Sequence, residues 1–236
     1  FAGPSTGYHR AVNRITHEAI KTNLFTVCKG YTDLDLKNDK EFWSKHGKFL
    51  ENNNRGYGYW LWKPYLIKKN MESMNENDIL FYADAGCKFE LSKTNKFMLE
   101  KIKTIKKEKK IIGCFTCPEI SYNKMDLIKL LNMENNLKGR QHAATAIMLI
   151  KTPEIMKFVN EWWRIATLDN YHYIDDTKSI SKNLHHFKDH RHDQSIYSLL
   201  TKKYNLYSKL EIREKTGNFF HTPRNRGGPE FLIKKN

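Results

Sequence analysis

Acidic residues are the scarce charge in this chain, with 26 Asp and Glu against 41 Lys and Arg in 236 residues and a formal net charge of +15. The deficit implies anionic partners, whether nucleic acid, a membrane surface or phosphorylated small molecules, and charge alone does not choose among them. Cysteine is sparser still. The four are Cys28, Cys87, Cys114 and Cys117, and the one close pair has no second CxxC with which to complete a zinc site. Reduced thiols in a cytoplasmic protein are the expectation. No apolar run approaches the roughly 20 residues that span a bilayer, and nothing reads as a signal peptide. No internal repeat or linker is evident, so residues 1–236 are expected to form one domain, within the usual size range. The chain begins with Phe1, and Phe1 to Ser5 reads as the tail of a strand entering a turn, so the first strand is expected to be truncated.

What is abundant is aromatic side chain, at 13% of residues, enough to build a core and to line a cleft as well. Periodicity predicts a helix over His9–Ile20, with Val12, Ile15, Ala19 and Ile20 on one face, and then a strand over Leu24–Cys28. Helices are expected over Lys40–Leu50, from the Trp-rich segment to Met74, over Lys93–Lys106 and over Lys124–Leu131. Strands are expected ending at Asp84, over Lys110–Phe115, over Ala143–Ile150 as a central strand, and near Leu206–Ser208. Thr152-Pro153-Glu154 carries the hydroxyl cap, proline and early acid that start a helix, here running to about Leu168. A last helix is predicted over Asp193–Lys203. The alternation predicts an α/β fold with a central mixed, mostly parallel sheet flanked by helices.

Three segments carry chemistry. In Asp78 to Cys87 an apolar, aromatic run delivers one carboxylate, Asp84, into the small-residue turn Ala85-Gly86. Open α/β sheets bind ligands beyond such strand ends, and a carboxylate aimed at an anion needs a cation between them. Asp84 as a mere cap of the following turn is the competing reading. Arg55 to Tyr65 sets two glycines, two tryptophans and three tyrosines around the cations Arg55 and Lys63. Core packing at a helix start would explain the aromatics. Gly56 and Gly58 instead suggest backbone approach to a ligand, with Arg55 and Lys63 suited to a diphosphate. His185 to Ser195 is dense in titratable groups, has no thiol and no HExxH spacing for zinc, and contains Asp193, which ordinary helix grammar would use as an N-cap.

Together, Arg55-Gly-Tyr-Gly-Tyr-Trp-Leu-Trp-Lys-Pro64, Ile79-Leu-Phe-Tyr-Ala-Asp-Ala-Gly86 and His190-Arg-His-Asp-Gln-Ser195 resemble small GT-A-fold glycosyltransferases of the capsule-type and large-virus-encoded kind. The resemblance runs from about Gly7 to the tail. It implies a single GT-A-like, Rossmann-like domain that moves a hexose-type sugar from a UDP- or GDP-sugar donor to a glycan or other hydroxyl acceptor. It also implies a divalent metal, manganese first and magnesium second, held by an Asp-x-Asp motif. Here Asp84-Ala85-Gly86 lacks the second acid, and His221 is the tail position that would complete the metal site. Asp193-Gln194 resembles the Asp-Gln of retaining enzymes and is expected to be catalytic. The resemblance places Gly3, Arg55, Tyr59, Lys63, Tyr82, Asp84, Ala85, Gly86 and Arg224 at the donor. It places Asp175, Asp176 and His192 at the acceptor. Residues 215–236 would form a loop closing the donor site, with Arg224 or Arg226 assisting Lys63 at the leaving diphosphate.

Two other classes compete. A non-catalytic GT-A-like binding module would suit the incomplete metal motif. A basic nucleic-acid-binding protein would suit the charge, but Lys101, Lys103, Lys106, Lys107, Lys109 and Lys110 are not interleaved with aromatics, so no nucleic acid is expected. That cluster reads as a solvated face or as a patch for anionic lipids, giving peripheral membrane contact from the cytoplasm, the host's if the chain is viral.

Overall fold

The computed structural model describes residues 1–91, 95–212 and 219–222. Helix α1 (Thr6–Lys21) buries Ala11, Val12 and Ile15, so of the expected face Val12 and Ile15 are buried, Ala19 is half-buried and Ile20, near the helix end, is 54% exposed. Helix α2 (Asp33–Asn38) opens on a capping box, in which Asp35 accepts from the Thr32 backbone N–H at 2.7 Å. Helix α3 (Lys40–Asn52) is capped by Asp39, and α4 (Gly56–Tyr59) is one irregular turn leading into α5 (Trp62–Glu72). Then come β1 (Ile79–Ala83), β2 (Lys88–Phe89), α6 (Lys96–Glu108) and β3 (Ile111–Pro118). A short 3-10 turn leads to α7 (Met125–Leu130), β4 (Arg140–Ile150) and α8 (Pro153–Tyr171). Helix α9 (Asp193–Lys203), β5 (Tyr207–Glu211) and β6 (Phe220–His221) complete the described chain.

Four strands form one sheet in the order β1-β4-β3-β5, while β2 and β6 make a separate antiparallel pair. The sheet is mixed, as expected, but not mostly parallel. β4 runs antiparallel to both β1 and β3, and of the three pairings only β3 with β5 is parallel. Fully buried strands read as continuous apolar runs whichever way their neighbours point, so strand direction is not written in the pattern that located them. The α/β class stands, and helices cover the sheet.

β4 is the hub. Its Ala144, Ile147 and Leu149 join a core with α5, α7, α8 and α9, including Trp162, Phe158 and Tyr197. Its Ala143, Ala146, Met148 and Ile150 face a second core with Met98, Ile105, Phe89 and Phe220. A strand buried on both faces fixes its own position, because neither face tolerates a slip of one residue. The expected strand Leu24–Cys28 forms no strand. Its Leu24 and Phe25 pack against the second core while Val27 is 68% exposed, so the apolar run supplies packing but meets no open sheet edge. Near the start of the chain, Ala2 makes an isolated parallel bridge to Thr32 rather than joining the sheet. Helix α8 leaves helical geometry at Leu168, Asp169 and Asn170, where the sequence places its end. Among the described residues no helix is long and apolar enough to cross a membrane.

Candidate functional site

Three distant segments meet at one ammonium group. Lys63 lies in the first turn of α5, Asp84 follows the last residue of β1, and Asp193 is the first residue of α9. The Asp84 backbone N–H donates to Thr145 O of β4 at 2.8 Å, which pins the strand end that carries the carboxylate. Lys63 Nζ lies 2.9 Å from Asp193 Oδ2 and 3.5 Å from Asp84 Oδ1, and donates to Ala144 O at 3.0 Å. The Lys63 and Asp193 side chains are 4% and 5% exposed, while Asp84 is 33% exposed and forms the open side of the group. Tyr82 donates its hydroxyl to Asp84 Oδ1 at 2.5 Å, and Lys63 Nζ stands 5.4 Å from the Tyr82 ring.

The electrostatics follow from burial and from these neighbours. Burial alone would lower the Lys63 pKa, but Asp193 and Asp84 outweigh it and hold the group above its ordinary value, so the ammonium stays charged. Burial pushes Asp193 up to about 6, against the pull of Lys63 and with Asp84 adding to the rise. Asp193 Oδ2, although close to Nζ, accepts no hydrogen bond of regular angle. Burial, then the Asp84 charge, raises Tyr82 well above the usual phenol range, so it remains a neutral donor. The result is a dry, fixed cation flanked by a buried carboxylate and a half-open one.

Asp193 does not cap α9. The N-cap position belongs to His192, whose φ of 54° lies in the left-handed region, and the Asp193 carboxylate turns to Lys63 instead. His192 Nδ1 is 2.7 Å from Ile174 O, which fixes the proton on Nδ1, and burial holds this imidazole down to about 4 and therefore neutral. Its Nε2 is buried without a hydrogen-bond partner, 3.7 Å from Asp176 Oδ1, and the ring lies beside those of Tyr59 and Trp60. Arg55 pairs with Asp176 at 3.1 Å and Asp189 at 3.0 Å, so it faces the His192 side rather than Lys63.

The glycines of α4 serve the protein's own packing. Gly56 and Gly58 have φ of 60° and 77°, and an added Cβ would come within 2.4 Å of the Trp60 ring and 3.1 Å of Leu50 Cα respectively. Their close approach is to Trp60 and Leu50, which corrects the reading of a backbone left open for a ligand. Gly3 lies against Tyr57, 3.2 Å from where its Cβ would be. Ala85 is buried, and the Ala85–Cys87 turn is held by Arg14, which donates to Ala85 O at 2.9 Å and Cys87 O at 2.8 Å. Sequence reading missed Arg14; its only signal is the Arg14/Glu18 spacing on α1, realised as an ion pair at 2.7 Å.

The remaining candidates separate. Gln194 donates to Gln141 Oε1 at 2.7 Å and accepts from the Ala144 N–H at 3.4 Å, tying α9 to β4 beside Asp193. Asp175, expected at the acceptor, is instead buried against Lys124 at 3.0 Å and also accepts from the Thr177 N–H and hydroxyl. All three donors converge on Oδ1, which ties this carboxylate to the fold. Asp176 remains exposed beside His192. His221 lies on β6 opposite Lys88, while Arg224, Arg226 and most of the expected closing loop 215–236 fall outside the described residues. Among the described residues no group of three or more His, Cys, Asp or Glu side chains could hold a metal ion. No family model, no curated protein and no solved structure matches this chain.

Proposed function

We propose that this chain is a glycosyltransferase that moves a hexose-type sugar from a UDP- or GDP-sugar to a glycan or other hydroxyl acceptor, with retention of anomeric configuration. The observation that carries the reading is the meeting of Lys63, Asp84 and Asp193 beside the end of β1, a buried ammonium between one buried and one half-open carboxylate. Departure of the nucleoside diphosphate is the demanding event. A preorganised ammonium in a dry site stabilises the charge that develops on the leaving oxygens. The Asp193 carboxylate, held beside it, faces the positive charge that grows on the sugar ring as the bond lengthens. Tyr82 keeps Asp84 oriented, and Gln194 keeps the first turn of α9 against β4.

A divalent ion fits this site only as a companion of the donor. Asp84 Oδ1 is taken by Tyr82 and Lys63, which leaves Asp84 Oδ2 to hold an ion, too little for a resident site without the diphosphate oxygens, and His221, the other ligand that the resemblance implies, lies on β6 opposite Lys88. When bound, manganese or magnesium would neutralise diphosphate charge.

The test is thermal melting of the full chain with UDP and GDP, with and without manganese, beside Asp84→Ala. A nucleotide at about a hundred times its dissociation constant adds about 2.7 kcal/mol and raises the midpoint by about 5–10 °C. The expected result is a manganese-assisted rise with one nucleotide that the variant loses. No rise with either nucleotide in a folded sample overturns the proposal.

A further inference from the structure

Between α8 and α9 the chain runs without regular structure and lines a half-open cavity of about 470 Å³, walled by Lys124, residues 176–183 and residues 187–190. That volume lies within the usual range for a small-ligand site. The loop is pinned rather than loose. Asp126 at the start of α7 accepts from the Ile180 N–H at 2.6 Å and the Ser181 N–H at 2.8 Å, and Asn183 accepts from the Met125 N–H at 2.8 Å. A cavity with a fixed wall binds without an ordering cost.

Its charge is one-sided. Asp176 and Asp189 are already paired with Arg55, and the buried Lys124 with Asp175. Lys178, Lys182 and Lys188 are exposed at the cavity and make no side-chain hydrogen bond or ion pair among the described residues. Half-buried Phe187 adds an apolar surface suited to a sugar face. Asp176, which lines the cavity, lies 3.7 Å from Nε2 of His192, the residue before Asp193.

We infer that this cavity is the acceptor subsite and that it takes a saccharide bearing an anionic group, a carboxylate or a phosphate. The inference rests on the glycosyltransferase reading and adds to it the class of acceptor. The three free ammonium groups grip the anion, Phe187 packs on the ring, and the sugar hydroxyl to be glycosylated points past Asp176 towards His192 and Asp193.

The experiment is a titration of the ¹⁵N-labelled full chain, followed by NMR, with glucose 6-phosphate, glucuronate, glucose and inorganic phosphate, repeated on K178E/K182E/K188E. Nucleotide-dependent melting is measured on the same samples. The anionic sugars are expected to shift resonances of residues 176–190 and to bind about tenfold more tightly than glucose, as one charge-assisted contact would supply. The triple variant should lose that preference while keeping its nucleotide response, and the stronger of the two anionic sugars tells phosphate from carboxylate. Equal binding of glucose, equal binding of inorganic phosphate, or an undiminished response in the variant overturns the inference. Nucleotide binding with no sugar response overturns it while leaving the transferase reading standing. A sugar response in a protein that binds no nucleotide overturns the transferase reading, and the acceptor role with it.

Discussion

Two lysines in this molecule are almost equally buried, and they do opposite things. The Lys124 side chain is 3% exposed and its Nζ reaches Asp175, His172 O and Thr177 Oγ1, while Asp175 is itself closed by two further donors from Thr177. The Lys124 ammonium and Asp175 Oδ1 are thus both fully engaged within the protein. Lys63 is 4% exposed and has the same number of oxygen neighbours, but its carboxylates are unfinished: Asp193 Oδ2 accepts no regular hydrogen bond and Asp84 opens to solvent. A buried ion pair whose valences are all met holds the fold. One whose valences are left over can stabilise something that arrives.

Removing each ammonium should separate the two roles most sharply. Lys63→Met and Lys124→Met are each expected to destabilise the protein by about 3–5 kcal/mol in denaturant titration, because each leaves a buried carboxylate unpaired. Only Lys63→Met should abolish the melting response to the nucleoside diphosphate. A Lys124→Met protein that folds but fails to respond would erase the distinction.

The carboxylates sharpen it next. Asp193→Asn keeps shape and is expected to lower transfer turnover by about 10²–10³-fold while sparing nucleotide binding, as the loss of one preorganised charge at the reacting centre does. Asp175→Asn should lose about 1–3 kcal/mol of stability and leave turnover of the folded fraction unchanged. Comparable loss of turnover in both variants would show that Asp193 acts through the fold alone.

The smallest effect is in pH. With Asp193 titrating at about 6, kcat/KM should fall roughly tenfold per unit below that value, and the Asn variant should lack this limb. Stability moves separately. Burial holds His142 at about 3, His190 well below its ordinary value and His192 at about 4, whereas unfolded histidine titrates near 6.5. Between those values the unfolded chain binds more protons, so each histidine's contribution is lost as pH falls, by at most about 1.4 kcal/mol per unit. Asp193 runs the other way, its raised pKa favouring the fold at low pH and losing that contribution as pH rises through about 6. Three histidines outweigh one carboxylate, so the melting midpoint should drop between pH 7 and pH 4. A flat midpoint would mean that the imidazoles are not held neutral.

Much of this was legible in the chain. The predicted limits of α9 and the start of α8 at Pro153 agree with the structure, and β1 ends one residue before the expected Asp84, because caps, proline and apolar run-ends are local signals. Asp84 and Asp193 could be singled out as odd carboxylates for the same reason. That Lys63 lies between them could not be read, nor that Arg14 clamps the turn after Asp84, since Lys63 and Asp193 stand 130 positions apart and Arg14 and Ala85 71. Strand direction and the fate of Leu24–Cys28 were misjudged because an apolar run records burial and is silent about its neighbour.

The sequence by itself determined the α/β alternation, the aromatic core, the excess of positive charge and the few carboxylates able to do chemistry, all properties of spacing and composition. Only the tertiary structure decided which acid was finished and which was not. Asp175 and Asp193 are the same residue in polar, helix-adjacent segments, and what separates them is the set of donors that folding brings within about 3 Å of each, because hydrogen bonds and desolvation act over contact distances rather than along the chain.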